Sequence, residues 1–566
     1  MTRKDLKKQN LFQLFIVVAN VLIICYISSI FFFRIDLTQE KRYTLSDVSK
    51  QILKSLPDQV LIKVYLEGDL PIGFKRLNKA TREMLDEFRI YAGKNIQFQF
   101  IDPYENPEPK VVNNLVRDLY NKGIQPTNIK LKDSKGGYSE KLIVPGALVS
   151  FNGIELPLNL LSNNAGLPGE ENLNNSIENL EYTLINTIHN ISNTKAGKIA
   201  FLKGHGELDQ YSTADITREL ANYYQVDTGE ILNNIHALDA YQCIIIADPE
   251  KSFSEEDKFV IDQYLMKGGK LLWFVNPVTV DADSIAQGHA LAYIKQLNID
   301  DQLFKYGIRI NPSLIQDIQC ALIPINTSMS GTQPKFSPVP WLYIPLLSGS
   351  ILNPISRNLN LVKADYCSFI DTLVSNGMLE KTIILNSSKF SRVQQVPSFI
   401  SLSEIKIQHQ RSEFDKSFLP VAVLVEGKFP SVFKNRMLSG LHINGSYKYV
   451  DLSVPTKMLV VADGNIIRNE VRNSQQGILI TPLGLDRYTS QTFGNKDFVL
   501  NAVNYMTDEI GIMKLRSRQI TLRLLDKELI RDDKLKWQLI NVLLPVIIII
   551  LAGIGFNFWR KRIYSV

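Results

Sequence analysis

Six histidines and four cysteines are scattered through 566 residues, with no His-Glu-x-x-His and no Cys-x-x-Cys among them. The common zinc-hydrolase and paired-cysteine chemistries are therefore excluded. Gly-x-Ser-x-Gly is missing as well, and no cysteine stands at a glycine-flanked turn, so nucleophilic catalysis has no motif to rest on. The phosphate-cradling Gly-x-x-x-x-Gly-Lys-Ser/Thr is also absent: Gly268-Gly269-Lys270-Leu271 and Gly93-Lys94-Asn95 both fail it. The chain is not expected to hydrolyse nucleotides, and no metal or cofactor is expected. Cys25 lies in an apolar stretch, which leaves the odd set Cys243, Cys320 and Cys367. A bridge between Cys320 and Cys367 is open at this point, but the fold is not built on disulfides.

Two long segments lack charge altogether. Residues 11–33 and 537–559 are each 23 residues without Asp, Glu, Lys or Arg, and about 20 such residues in a helix cross a hydrocarbon core. Both read as transmembrane helices. The first ends in Phe31-Phe32-Phe33-Arg34 with no small-residue cleavage site, so it reads as an uncleaved anchor. Basic residues flank both: Arg3, Lys4, Lys7 and Lys8 before the first, Arg560, Lys561 and Arg562 after the second. The positive-inside rule then puts the tails 1–10 and 560–566 in the cytoplasm and the bulk of the chain outside. With Asp5 as their single acid, the tails account for the whole formal charge of +6. The outer region is neutral, and a nucleic-acid partner is excluded.

Between the spans the pattern is α/β. A helix capped by Ser46, a strand from Val60, a helix over Lys75 to Ala92 and a strand from Ile96 make a β-α-β unit. A helix from Pro109 and strands around 128–131, 142–151 and 154–158 follow, with Asn152-Gly153 as a hairpin turn. Residues 34–160 thus read as a small α/β domain, and the Gly/Asn-rich stretch 162–175 as a linker. Residues 161–505 read as a larger, mainly parallel, Rossmann-like sheet with helices such as 177–191, 213–224 and 254–267, divisible into two subdomains. The proline-rich stretch 334–354 reads as a surface loop, and residues 506–536 as a juxtamembrane segment before the second span.

The one loop with suggestive chemistry is Gly204-His205-Gly206-Glu207, which follows the apolar strand Lys198–Leu202. Doubly wound sheets bind ligands at the carboxyl ends of their strands. His205 and Glu207 are the candidate ligand-binding pair, with acid–base work or metal ligation as sharper options. The plainer reading is a tight strand-to-helix turn. Asp463-Gly464-Asn465 resembles the start of a calcium loop, but no downstream Glu completes it and a turn explains it better.

Several stretches resemble the GldG family, auxiliary or substrate-binding-like proteins of an ABC transporter linked to gliding motility. These are Arg34 to Ser46, Tyr65 to Pro71, Ala80 to Phe88, Gly204 to Glu207, Val421 to Ser431, Ala462 to Glu470 and Gly494 to Phe498. The resemblance implies partners, a GldF-like permease and a GldA-like cytoplasmic ATPase, in the bacterial inner membrane. It carries over no catalytic residue. It implies a non-enzymatic, membrane-anchored accessory subunit. Two alternatives stay open: an extracytoplasmic enzyme of amidotransferase-like fold using the His205/Glu207 loop, and a purely structural envelope tether.

Overall fold

A computed structural model describes residues 12, 14–23, 44–132, 138–162, 167–193, 197–281, 284–285, 287–326, 328, 335–374, 377–437, 440–474, 477–517 and 527–564. Residues up to Arg518 group into one compact unit and the rest into a second. Of the expected first span, Leu14–Ile23 is helical; the remainder of 11–33, apart from Phe12, lies outside the described residues.

The first part of the compact unit opens with helix α1 (Asp47–Lys54), where the Ser46 side chain accepts the Ser49 N–H as expected of an N-cap. Strand β1 (Val60–Val64), helix α2 (Ile72–Ala92), strand β2 (Ile96–Phe100) and helix α3 (Pro109–Asn121) follow. The expected strand over 142–151 is two strands. Tyr138–Ile143 pairs with Thr127–Lys132, and β3 (Gly146–Phe151) begins beyond Pro145, which has no N–H to continue a ladder. Asn152 and Gly153, with φ of 48° and 82°, turn β3 into β4 (Ile154–Asn159). The resulting sheet has the order β2-β1-β3-β4.

The stretch expected as a linker is largely helical: α4 (Gly169–Glu178) runs into α5 (Leu180–Ser192). Leu180, Leu184, Ile185 and Ile188 of α5 bury themselves in the core of the first sheet, together with Ile512 and Leu515 from far along the chain.

The larger sheet is built from β5 (Lys198–Lys203), β6 (Gln225–Glu230), β7 (Cys243–Ala247), β8 (Lys270–Phe274), β9 (Cys320–Asn326), β10 (Phe336–Gly349), β11 (Leu379–Asn386), β12 (Pro420–Gly427) and β13 (Thr456–Val461). Their order is β9-β10-β11-β12-β13-β8-β7-β5-β6, and Val362–Lys363 adds a tenth strand beside β10. Strands β6, β5, β7, β8 and β13 run parallel; β13 to β9 alternate antiparallel. The sheet is therefore mixed, which corrects the mainly parallel expectation. Parallel neighbours need a crossover, and helices α6 (Ala214–Leu220) and α7 (Glu255–Met266) supply two of them. The antiparallel half needs none.

Side chains of β7 explain why its sequence reads Cys-Ile-Ile-Ile-Ala. Ile244 and Ile246 enter the core beneath α7, while Cys243, Ile245 and Ala247 enter the opposite core, which α8 (Asn495–Thr507) covers with Phe498, Ala502 and Met506. Helix α6 is shorter than the expected 213–224.

The proline-rich stretch is strand β10, not a surface loop. Pro338 and Pro340 share parity, so both missing N–H groups point to one side. Over 336–345 the ladder, among the described residues, runs to β9 alone. Residues 477–480 pair with 471–474 in a separate hairpin and do not join the large sheet. Cys243, Cys320 and Cys367 are free thiols.

The second unit is one helix, α9 (Lys527–Tyr564), with Pro545 inside it. Its stretch Asp533–Arg562 is long and apolar enough to cross a membrane.

Candidate functional site

Chain order in the parallel half makes the site. Strand β5 is followed by its neighbour β6 on one side, then the chain crosses to β7 on the other. The point of reversal lies between the carboxyl ends of β5 and β7, where open α/β sheets leave a crevice for a ligand. The loop 204–207 follows β5 and the loop 248–251 follows β7, so both belong to this crevice.

The loops fill it with one another. His205 O accepts the N–H groups of Glu250 and Lys251, both at 2.8 Å, and the Leu208 N–H donates to Ala247 O at 3.0 Å. Gly204 and Gly206 carry φ of 121° and 75°, which L side chains rarely adopt. A Cβ on Gly206 would also lie 3.0 Å from Glu250 Cβ. The buried Lys203 ammonium donates to Leu208 O; burial holds its pKa below the usual lysine value, against the pull of Glu207 and Asp209.

His205 and Glu207, the pair expected from the sequence, are together and buried. The Glu207 carboxylate folds back on its own loop: Oε2 accepts the His205 N–H at 2.8 Å and Oε1 lies 3.1 Å from Nδ1. The second ring nitrogen, Nε2, is 3.1 Å from Asp257 Oδ2. Asp257 is in turn fixed by Ser254, the N-cap of α7, whose Oγ donates to the same oxygen at 2.8 Å. The imidazole lies flat on Phe253, centroids 3.8 Å apart, and Phe253 meets Trp273 edge-on. Burial alone would push the ring toward neutrality. The hydrogen bonds and charges of Asp257 and Glu207 outweigh it and raise the pKa to about 9. At neutral pH the ring is an imidazolium clamped by two carboxylates, with no lone pair for a metal or a proton.

Asp257 and Phe253 complete the cluster and do not stand out in the sequence as site residues. The available signal was Ser254-x-x-Asp257, which reads as a helix start.

The first turn of α7 carries Glu255, Glu256 and Asp257. A dinucleotide or phosphate would approach such a terminus for its dipole, and three carboxylates repel it.

Beside the loops, Asp248 ties strand ends together. It bonds Asn276 Nδ2 at 3.1 Å and Arg468 Nη2 at 2.8 Å, with Lys295 Nζ at 3.3 Å. Gly464 packs so closely that a Cβ there would fall 2.4 Å from Asp248 Cβ. Asp463 caps the turn that follows, accepting the N–H groups of Asn465 at 2.7 Å and Asp365 at 2.8 Å. Burial, reinforced by Asp365, lifts its pKa well above the carboxylate range. This matches the turn reading of 463–465. No cluster of three or more metal-ligating side chains occurs among the described residues.

Comparison with known proteins adds a frame. The family model described as an ABC-type uncharacterized transport system matches residues 196–502, and a domain of unknown function matches residues 39–150. An uncharacterized protein of Borreliella burgdorferi is 23% identical over 442 residues, 75% of this chain and 78% of its own length. The mmIFT52 N-terminal domain aligns over 55% of this chain and 97% of its own, at 13% identity and a TM-score of 0.31.

Proposed function

Because the chain belongs to the family of ABC-type uncharacterized transport systems, we propose that it is a non-enzymatic, membrane-anchored auxiliary subunit of an ABC transporter. Family membership makes it a transport-associated protein whose partners are a permease and an ATPase in general. The finer reading places its anchors in a bacterial inner membrane with both termini cytoplasmic and the compact unit periplasmic. GldF-like and GldA-like proteins are then the partners, and gliding motility is the process the sequence resemblance suggests.

One observation carries the non-catalytic part. The crevice where this sheet type would hold a ligand is closed by the two loops that border it, and both His205 nitrogens are engaged by carboxylates. His205 and Glu207 act here as a clasp that fixes the loop, and any ligand contact is made by the outer surface of the clasp.

The test is the ATPase activity of the reconstituted permease–ATPase pair with and without this chain. The chain alone should hydrolyse nothing, and its addition should change the rate of the pair. A His205→Ala chain that folds normally should preserve that change. An unchanged rate on addition, or activity in the isolated chain that His205→Ala removes, contradicts the proposal.

A further inference from the structure

Both ends of the compact unit are fastened to neighbouring residues of one helix. The Ser46 N–H and the Ser49 hydroxyl donate to Glu181 Oε1 at 2.8 and 2.7 Å, pinning the start of α1 to the first turn of α5. One residue on, the Tyr182 hydroxyl meets Met513 Sδ at 3.2 Å, and the Arg516 guanidinium lies 5.2 Å from the Tyr182 ring centre. Leu45, Ile512 and Leu515 are buried in the core that α5 shares. The chain thus enters and leaves the unit at adjacent points.

A third feature hangs from the same place. Arg516 Nη2 donates to Arg357 O at 2.7 Å, and Arg357 lies 3.6 Å from Glu178 of α4. Arg357 closes a tight loop: its N–H donates to Asn353 O at 2.9 Å, while the Ser356 hydroxyl donates to Ser350 O at 2.8 Å. At the tip of this loop Ile351 and Leu352 are 73% and 74% exposed. The loop is held rigidly from behind, so its two adjacent aliphatic side chains are presented and not tucked in.

We propose that Ile351 and Leu352 insert into the headgroup–acyl boundary of the lipid bilayer, as a membrane contact that does not span it. The proposal rests on the anchored reading above. The bilayer is chosen as occupant because the loop is bolted to the turn where the chain departs for its apolar helix, and departs from its apolar N-terminal segment. A membrane entered by both segments begins beside that turn. A narrow tip with two branched aliphatics suits shallow insertion, where apolar groups sit below the headgroups and cationic ones among them. Lys514, exposed on the same exit turn, adds a charge of the sign that anionic lipid attracts.

The experiment uses the full chain, with Cys25→Ala and Cys320→Ala, reconstituted in phosphatidylethanolamine–phosphatidylglycerol liposomes. A spin label at Leu352→Cys is compared with one at Met437→Cys, beside the carboxyl-end loops. Collision with oxygen and with a water-soluble nickel chelate is measured for each. Insertion predicts that oxygen access exceeds nickel access at 352 and falls below it at 437. Equal, water-like access at both positions, in liposomes that retain the chain through an alkaline carbonate wash, overturns the insertion and leaves the anchoring intact. A label at 352 shielded from both reagents marks a second copy of the chain as the cover and also overturns it. Release of the chain by carbonate removes the anchored reading and the insertion together. A stable Ile351→Asp/Leu352→Asp chain, also labelled at Asn353→Cys, should lose the oxygen preference that the Asn353→Cys chain shows alone.

Discussion

His205 holds a proton because two carboxylates surround it, and that arrangement fixes the sign of its effect on stability. A histidine whose folded pKa is about 9, against an ordinary 6.5, stabilises the fold fully below 6.5 and loses that contribution as the pH rises through 9. Asp257 sits on the other limb: although burial opposes it, the His205 bond holds its pKa low, so its share is lost only as the medium becomes strongly acidic. The clasp should be worth on the order of 2 kcal/mol at neutral pH. Thermal melting of the full chain in detergent should therefore show a decline in Tm from pH 7 to 10 that His205→Gln flattens. An identical decline in both proteins assigns it to other groups. Gly206→Val, forcing a β-branched residue to φ 75° against Glu250, should cost roughly 2 kcal/mol or more and lower the folded yield. A wild-type yield and Tm would show that the loop tolerates a side chain there.

At the scale of elements, Ser254 does two things at once. It caps α7 through the Asp257 N–H at 3.1 Å and orients the Asp257 carboxylate toward His205. Ser254→Ala should cost about 1 kcal/mol as a lost cap and, beyond that, reduce the pH dependence assigned to His205; loss of the cap alone would leave that dependence intact. Elements of this kind were legible in the sequence because their signals are local. Ser46, Ser254 and Asn152-Gly153 mark boundaries through their own side chains or backbone, and the helix over Pro109–Asn121 starts on a proline and ends on an asparagine. What was not legible depends on distant partners. The prolines of β10 read as a loop until β9 supplies the one-sided ladder, and 169–178 reads as a linker until Leu173 finds the first core. The same holds for the candidate site. His205 and Glu207 stand out by motif, whereas Asp257 reaches His205 from a helix 52 residues on. In α9, Gly553 and Gly555 offer a small-residue surface on which a helix of a permease can pack. Replacing both with Leu keeps the helix apolar, and should lower permease recovery while the chain's membrane level holds; unchanged recovery would place this face against lipid.

For the whole molecule, the site and the exits occupy opposite ends of the parallel strands. Loops 204–207 and 248–251 follow the carboxyl ends of β5 and β7. At the other end, the Tyr224 hydroxyl just before β6 bonds Asn504 and Thr507 of α8, both at 2.8 Å. Asp508 then accepts the N–H groups of Gly511, Ile512 and Met513 at 2.7, 3.0 and 2.7 Å, setting the exit turn. A strand of five or six residues separates the two ends by about 17–20 Å. A protein built this way receives the work of ATP hydrolysis through its membrane side and presents its loops away from it. The basic flanks of both apolar segments set the sense of that layout: a reporter active only in the periplasm should work when inserted near Asn164, and one active only in the cytoplasm when fused after Val566. The reverse pattern would invert the topology. Most directly, the tagged chain can be purified from native membranes in mild detergent and its partners identified by mass spectrometry. The account predicts a multi-span permease and an ATPase at comparable abundance to the chain. Recovery of the chain with neither, from membranes in which both are present, would contradict it.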